Sequence, residues 1–449
     1  MKSPQKFQPL DLSGRFLWWN PVSDIRSHGS NTSPRIDGSM PQIHPQPRQT
    51  NRDADSPVPS PAPQERLRIL MLCHSPSWGG LEREVGWLSQ ALAERGHLLT
   101  LGVLPDSPLA RFAAEVGLAT LSAKPLRYPG LRLWALIRWI HRNHPDLVHV
   151  HTSEDLRLAW LALSFNSTRT PLYLTRHMGL KHRRGGYFNR RIYQRVRRLY
   201  AISSYVAQGL RQNVPMPPDR IQILPPGIWA SRLAHPPCSP AEAREQLGIH
   251  TTANGPVIGM LGRITPMKGH LEFLESLYRI RTENPKIGFQ VIIAGGAGAD
   301  PREQRLLETI KAQVHDYGLS DRVHLIGEVD ESTIALTAMD LFIFPSHLES
   351  FGMALVEAMA CGLPVVACAA GGVVDIVEHD RTGLLVPVRD VPALAQAMLR
   401  LIQDENLCRR LGQNARTAAD RWDIRHIAAA YEADFYGAQD DPDSRPHGS

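Results

Sequence analysis

The strongest constraint on what this chain can fold into is a recurring unit: a short unbroken apolar run, a turn, then a stretch with helical spacing. Arg68-Ile-Leu-Met-Leu-Cys73 is the first such run. A strand that is apolar at every position has both faces covered, as inside a parallel sheet. Gly79-Gly80 follows it, and Leu81 to Arg95 carries a helical pattern. Further strands are expected at Leu98–Leu104, Leu147–His151, Leu172–Arg176 and Leu199–Ser203, with helices such as Leu131–Arg142 and Asn189–Arg198 between them. The rhythm breaks near Leu224-Pro-Pro-Gly227 and through a Pro-, Ser- and Ala-rich stretch at 230–255.

A second alternating series starts at Pro256. Its expected strands are Val257–Leu261, Phe289–Ala294, Val323–Ile326, Leu341–Pro345 and Pro364–Cys368, with Leu384–Pro387 at an edge. Helices are expected at Gly269–Arg281, Pro301–Tyr317, Ser332–Ala338, Phe351–Ala360 and Pro392–Gln403, and then at about 405–420 and 424–436. The fold class is therefore α/β, with two parallel, doubly wound domains. The expected division is 66–230, 231–420, a closing helix over 421–437 and a flexible tail over 438–449. Residues 1–65 hold 11 prolines and almost no periodic apolar pattern. Such a segment cannot bury enough surface to offset chain entropy, so it is expected to be disordered.

Composition narrows the class further. The formal charge of +6 over 449 residues is too small to argue for nucleic acid. Five scattered cysteines without a CxxC pair point to reduced thiols. No apolar run reaches the roughly 18 to 20 residues of a spanning helix, and Phe16–Trp19 is too short for a signal-peptide core. A cytoplasmic protein is expected, free or resting on the inner face of the membrane.

One segment concentrates chemistry. Pro345-Ser-His-Leu-Glu-Ser-Phe-Gly-Met-Ala-Leu-Val-Glu-Ala-Met-Ala360 joins a strand end to a helix start through a loop with Glu349. Unpaired backbone N–H groups and the helix dipole make such a start an anion site, suited to a diphosphate. Glu349 and Glu357 are eight residues apart, about 12 Å if every step were helical. That exceeds the roughly 5 to 9.5 Å of paired glycosidase carboxylates. The two are better placed to grip different parts of one long ligand, since carboxylates accept hydrogen bonds from vicinal hydroxyls.

Glu349-Ser-Phe-Gly…Glu357 resembles the ExxxxxxxE signature of the family 4 retaining glycosyltransferases of the GT-B fold, with Ser350 where members usually carry Gly. The resemblance covers about residues 66–437 and implies two Rossmann-like domains facing across a cleft. It also implies a nucleotide-diphosphate sugar as donor and no cofactor. Glu349 would contact the donor sugar and Glu357 the donor ribose, with Ser350, Phe351 and Gly352 forming the donor loop.

Arg263 and Lys268, in Gly262-Arg-Ile-Thr-Pro-Met-Lys-Gly269, look like the family's diphosphate-binding pair. Gly296, in Ala294-Gly-Gly-Ala-Gly298, would bring backbone close to the nucleotide, and Glu328-Val329 resembles the loop that reads the base. Gly79 and Gly80 resemble a loop that closes over the phosphate and borders the acceptor. His151, after a strand, would act on or position the transferred sugar, and His177 is a second candidate on the acceptor side. These two histidines have no acidic ligand at metal-site spacing, and no metal is expected.

Arg176, Lys181, Arg183, Arg184, Arg190, Arg191, Arg195, Arg197 and Arg198 fall in 23 residues free of acids, interleaved with Tyr187, Phe188, Ile192, Tyr193 and Val196. With Leu131–Trp139, which is apolar with basic punctuation, they are expected to meet an anionic membrane. A glycan or lipid-linked acceptor, in cell-envelope polysaccharide or lipopolysaccharide synthesis, follows from that placement. An ordinary solvated basic helix is the alternative. A non-catalytic nucleotide-sugar-binding scaffold, or an epimerase or phosphorylase on the same fold, are the competing functions.

Overall fold

The computed structural model describes residues 66–121, 129–166, 169–180, 182–249, 255–329 and 332–437. The readings made for residues 1–65, for Lys181 and for the tail from Ala438 lie outside them.

Thirteen strands among the described residues form two parallel sheets. In the first, β1 (Arg68–Cys73), β2 (Leu98–Val103), β3 (Ala119–Leu121), β4 (Leu147–Val150), β5 (Leu172–Arg176), β6 (Val196–Ala201) and β7 (Ile221–Ile223) take the order β3-β2-β1-β4-β5-β6-β7. In the second, β8 (Val257–Leu261), β9 (Gln290–Ala294), β10 (Val323–Gly327), β11 (Leu341–Phe344), β12 (Val365–Cys368) and β13 (Leu384–Val386) take the order β10-β9-β8-β11-β12-β13. The strand order reverses between β1 and β4 and between β8 and β11. Loops at the carboxyl ends flanking such a switch point line the crevice in open α/β sheets.

Strand β1 shows why the apolar runs behave as they do. Ile69, Met71 and Cys73 point into one buried cluster and Leu70 and Leu72 into another. Alternation along the strand sends successive side chains to opposite faces, so both must be apolar. One of these clusters continues from Leu70 and Val148 of the first sheet to Phe344 and Val365 of the second and to Leu355 of the helix Met353–Ala360. Both sheets lie in one compact unit.

The helix Ile424–Gly437 packs on the first sheet. Its Tyr431 and Phe435 are buried with Ile69, Tyr173 and Tyr200. Tyr431 Oη lies 3.0 Å from Thr175 Oγ1, and Glu432 holds His97 at 3.0 Å. A parallel bridge between Ile228 and Asp423 sets the crossing point.

Two expected boundaries shift with consequence. The helix expected over Asn189–Arg198 is Tyr187–Arg195, and β6 begins at Val196. Val196 pairs with Leu172 of β5, so strand pairing takes over where the basic pattern alone had no stop. The helix expected from Phe351 begins at Met353, because Gly352, at φ 123°, is its N-cap. That backbone angle favours glycine.

Candidate functional site

The carboxyl-end loops of both sheets enclose a cavity of about 500 Å³. Gly79 and Gly80 follow β1, and His177 follows β5. From the second sheet come Gly262, Arg263 and Lys268 after β8, Gly295 and Gly296 after β9, Glu328 and Val329 after β10, and Glu349 to Met353 after β11. The sequence-predicted donor residues therefore meet in one place, with Glu357 and His151 just outside the lining.

The loop after β11 is built to hold its shape. Phe351 is buried, its ring edge-on to Trp422 with centroids 6.2 Å apart. Ser350 is outside the positive-φ residues, so serine in place of glycine costs no backbone strain. Its carbonyl accepts a hydrogen bond from Ser203 Oγ at 2.5 Å, which ties the loop to the first sheet. From below, Gly372 N–H donates to Glu349 O at 2.8 Å. A Cβ on Gly371, at φ 56°, would lie 2.1 Å from that same carbonyl, so a side chain there would displace the loop. The helix Met353–Ala360 has no side chain capping its start, and Met353 and Ala354 line the cavity. The first N–H groups of a helix have no intrahelical partner.

Charges are arranged in pairs. Lys268 Nζ lies 2.5 Å from Glu349 Oε2 and 5.4 Å from the centroid of the Phe344 ring. Arg263 Nη2 lies 2.8 Å from Glu303 Oε1, while Glu303 Oε2 accepts the Gly298 N–H at 2.7 Å. Glu303 was not singled out by sequence. Its only signal was an acid in the first turn of the helix after the Gly-rich loop. Both cations thus lie where they can exchange a carboxylate for a diphosphate.

Glu357 is 1% exposed, below the cavity lining. Arg83 Nη2 approaches its Oε1 at 2.7 Å from across the cleft, yet neither carboxylate oxygen has a partner in hydrogen-bond geometry. Arg83 also sits 4.6 Å over the Trp87 ring. Glu82, in contrast, is structural. It accepts the Gly79 N–H at 2.8 Å and the Ser75 hydroxyl, fixing the glycine loop.

The histidines form a buried series. His149 is inside the first sheet, its Nε2 2.8 Å from Thr175 Oγ1. Burial, reinforced by His177, pushes its pKa down to about 3. His151 is 2% exposed, and burial first, then His149 and His177, hold it well below the ordinary histidine value. His177 is the one that lines the cavity. Its Nδ1 contacts Glu84 Oε2 at 2.9 Å and its Nε2 contacts His151 Nδ1 at 3.2 Å. Glu84 Oε1 and His151 Nε2, at the two ends of this Glu84–His177–His151 series, have no partner. Glu84 was missed by sequence because nothing in its helix marks the one buried acid that reaches a histidine from β5. No group of three His, Cys, Asp or Glu side chains among the described residues is placed to hold a metal ion.

Comparison with known proteins decides the family. Two family models match in tandem: Glycosyltransferase Family 4 over residues 78–232 and Glycosyl transferases group 1 over residues 242–418. The 2-deoxystreptamine N-acetyl-D-glucosaminyltransferase of Streptomyces fradiae is 30% identical over 366 residues, covering 71% of this chain and 81% of that one. The chain belongs to the family 4, group 1 glycosyltransferases. A D-inositol 3-phosphate glycosyltransferase of Xylanimonas cellulosilytica is 35% identical over 218 residues, and the match spans 47% of this chain and half of that relative. Anabaena HepE, solved in complex with UDP and glucose, superposes with a TM-score of 0.70 at 23% identity, covering 83% of this glycosyltransferase and 100% of that chain. The enzyme is therefore a GT-B-fold glycosyltransferase, and the cavity lies where both sheets present their carboxyl ends.

Proposed function

We propose that the enzyme transfers a sugar, with retention at the anomeric carbon, from a nucleotide-diphosphate donor to a glycan or lipid-linked acceptor of the cell envelope. The observation that carries this reading is the convergence of Arg263, Lys268, Glu349 and the uncapped start of Met353–Ala360 on one cavity. Residues 231–420 supply the donor side, residues 66–230 the acceptor side, and residues 421–437 cross back.

In this mechanism the donor diphosphate lies against the helix start, and Arg263 and Lys268 turn from their carboxylates toward it. Glu349 meets the sugar, Glu357 the ribose, Gly296 the nucleotide, and the Glu328-Val329 loop the base. The bond from the anomeric carbon to the phosphate oxygen breaks, and its electron pair stays on that oxygen. The acceptor oxygen attacks from the same face, and its proton passes to the departing phosphate. Cations and N–H groups fixed around the developing charge stabilise it in the transition state. No divalent metal is required, and His151 or His177 orients the sugar or the acceptor.

Membrane association is part of the same proposal. Trp134 and Phe188 are 60% and 73% exposed, and Leu131, Phe165 and Tyr187 are exposed on the same sheet's helices. Arg138 stacks over Trp134 at 5.3 Å and Arg191 over Tyr187 at 5.2 Å. No helix of the described residues is long and apolar enough to cross a membrane. Basic, aromatic-bearing helices suit a peripheral position on anionic lipid, here the cytoplasmic face. A soluble polyol acceptor is a second reading, favoured by the names of the inositol 3-phosphate and 2-deoxystreptamine enzymes.

The test incubates the protein with UDP-, GDP- and ADP-sugars and follows nucleotide release with and without candidate acceptors, with and without EDTA. Product configuration is read by NMR. Acceptor-dependent release with the donor's anomeric configuration supports the proposal. An inverted product, or activity abolished by EDTA, overturns it. Sedimentation with anionic and neutral vesicles tests the membrane part, which fails if the two bind equally.

A further inference from the structure

Beyond the donor cavity, the first sheet carries a second concavity of about 340 Å³, lined by Arg176, Met178, Leu180, His182, Arg183 and Arg184 with Gly179. No carboxylate among the described residues lines it. The walls are fixed rather than loose. Asn213, in the last turn of the helix Ser204–Asn213, donates from Nδ2 to Leu180 O at 3.0 Å, and its own carbonyl accepts the Arg184 N–H at 2.7 Å. The loop that carries Arg183 and Arg184 is thereby pinned at two points.

Arg176 is the informative residue. It ends β5, and its Nη1 donates to Ser153 Oγ at 2.6 Å. Its Nε is buried and has no hydrogen-bond partner. A buried donor without an acceptor costs about 1–3 kcal/mol, more when it is charged. Burial, the largest influence, and nearby Arg184 both act against its charge, and the Tyr193 hydroxyl acts for it. A guanidinium held this way matches an oxyanion that accepts two N–H bonds at once.

The neighbouring residue ties this pocket to the reaction. Arg176 and Met178 line the basic concavity, while His177 between them lines the donor cavity. Consecutive Cα atoms lie about 3.8 Å apart. An acceptor with its anionic group on Arg176 would therefore sit one residue along the chain from the donor-cavity lining.

We propose that this concavity is an acceptor subsite for a phosphate group, held by Arg176, Arg183 and Arg184. The proposal rests on the reading above that the first sheet carries the acceptor. Its shared chemistry is a phosphate ester, supplied by a free phosphorylated polyol or by a phospholipid headgroup. Exposed Met178, Tyr187 and Phe188 flank the segment and suit the lipid source.

Glycerol 3-phosphate, with glycerol as its neutral control, is titrated calorimetrically into the wild type and into Arg183→Ala/Arg184→Ala and Arg176→Ala variants. Vesicles of phosphatidic acid and of phosphatidylcholine form the lipid arm. UDP, GDP and ADP are titrated into the same proteins. The expected result is phosphate-dependent binding in at least one arm that weakens on the order of tenfold or more in the Arg183/Arg184 variant. Nucleotide binding stays unchanged there, which shows the variant folded and the donor site intact. Loss in the soluble arm identifies a free phosphate, and loss confined to the vesicle arm identifies a headgroup. Equal phosphate binding in wild type and variant overturns the subsite. So does the absence of phosphate binding in both arms, or phosphate and nucleotide binding lost together, which places the anion in the donor cavity. Failure of every nucleotide to bind wild type tells against the donor reading instead, so the two can fail separately.

Discussion

Arg83 Nη2 lies 2.7 Å from Glu357 Oε1, one residue from each side of the cleft. Glu357 is buried, and Arg83 is the charge that offsets it. A donor ribose that engages Glu357 must take over from this cation. Arg83→Ala and Glu357→Ala are expected to lower stability singly and to couple by roughly 1–3 kcal/mol in a double-mutant cycle. Repeating the denaturation cycle with saturating nucleotide diphosphate should shrink the coupling; an unchanged value would disconnect Glu357 from the donor.

Glu357→Ala is expected to act mainly on donor binding, raising the donor KM on the order of tenfold or more with a smaller change in kcat. Steady-state kinetics at varied donor concentration checks this. A pure kcat loss would assign Glu357 to the chemical step.

Glu349→Ala should do the reverse. It removes the group proposed to meet the sugar and frees Lys268, so kcat is expected to fall on the order of 10²-fold while donor affinity changes little. Calorimetric nucleotide binding beside turnover separates the two effects.

Glu84 holds His177 Nδ1, and His177 in turn meets His151. Glu84→Gln keeps the shape but removes the charge that favours an Nδ1–H tautomer. Turnover is expected to fall about tenfold or more, with a displaced pH–rate profile, while Tm moves little. Glu84→Asp should restore part of the rate. A lowered Tm with an unmoved pH profile would leave Glu84 a purely structural role.

The buried histidines also predict acid sensitivity. His149 is held down to about 3 and His270 to about 4, in both cases first by burial. Both are neutral when folded and take up protons on unfolding below the ordinary histidine pKa. Their contribution is full above about pH 6.5 and is lost as pH falls toward the folded values, by about 2 kcal/mol per histidine between pH 7 and 5. Urea denaturation at those two pH values measures it, and equal midpoints would refute it.

What was legible in the sequence was what lies close together along the chain. The loop from Glu349 to Gly352 and the pair Arg263 and Lys268 each sit in one strand–loop–helix unit, so the local sequence places their members together and the family resemblance implies their roles. Glu303, Glu84, Arg83 and the Gly371-Gly372 support were not legible, because their partners are brought from other strands by the fold. Position at a strand end is the only signal the sequence offers for His151 and His177. The structure puts His177 on the cavity and His151 behind it, a difference of depth that a strand's alternation does not encode.

The helix Ile424–Gly437 has a consequence for how the protein is made. Tyr431 meets Thr175, a residue synthesised 256 positions earlier. Until that helix leaves the ribosome, Tyr173, Tyr200 and their neighbours in the first sheet lack the aromatic side chains that cover them. The first half of the chain must wait, partly uncovered, for nearly all of the second to be translated. A nascent chain of this glycosyltransferase is therefore expected to depend on chaperones late in synthesis, and a stop codon just before residue 424 should send the product to aggregates.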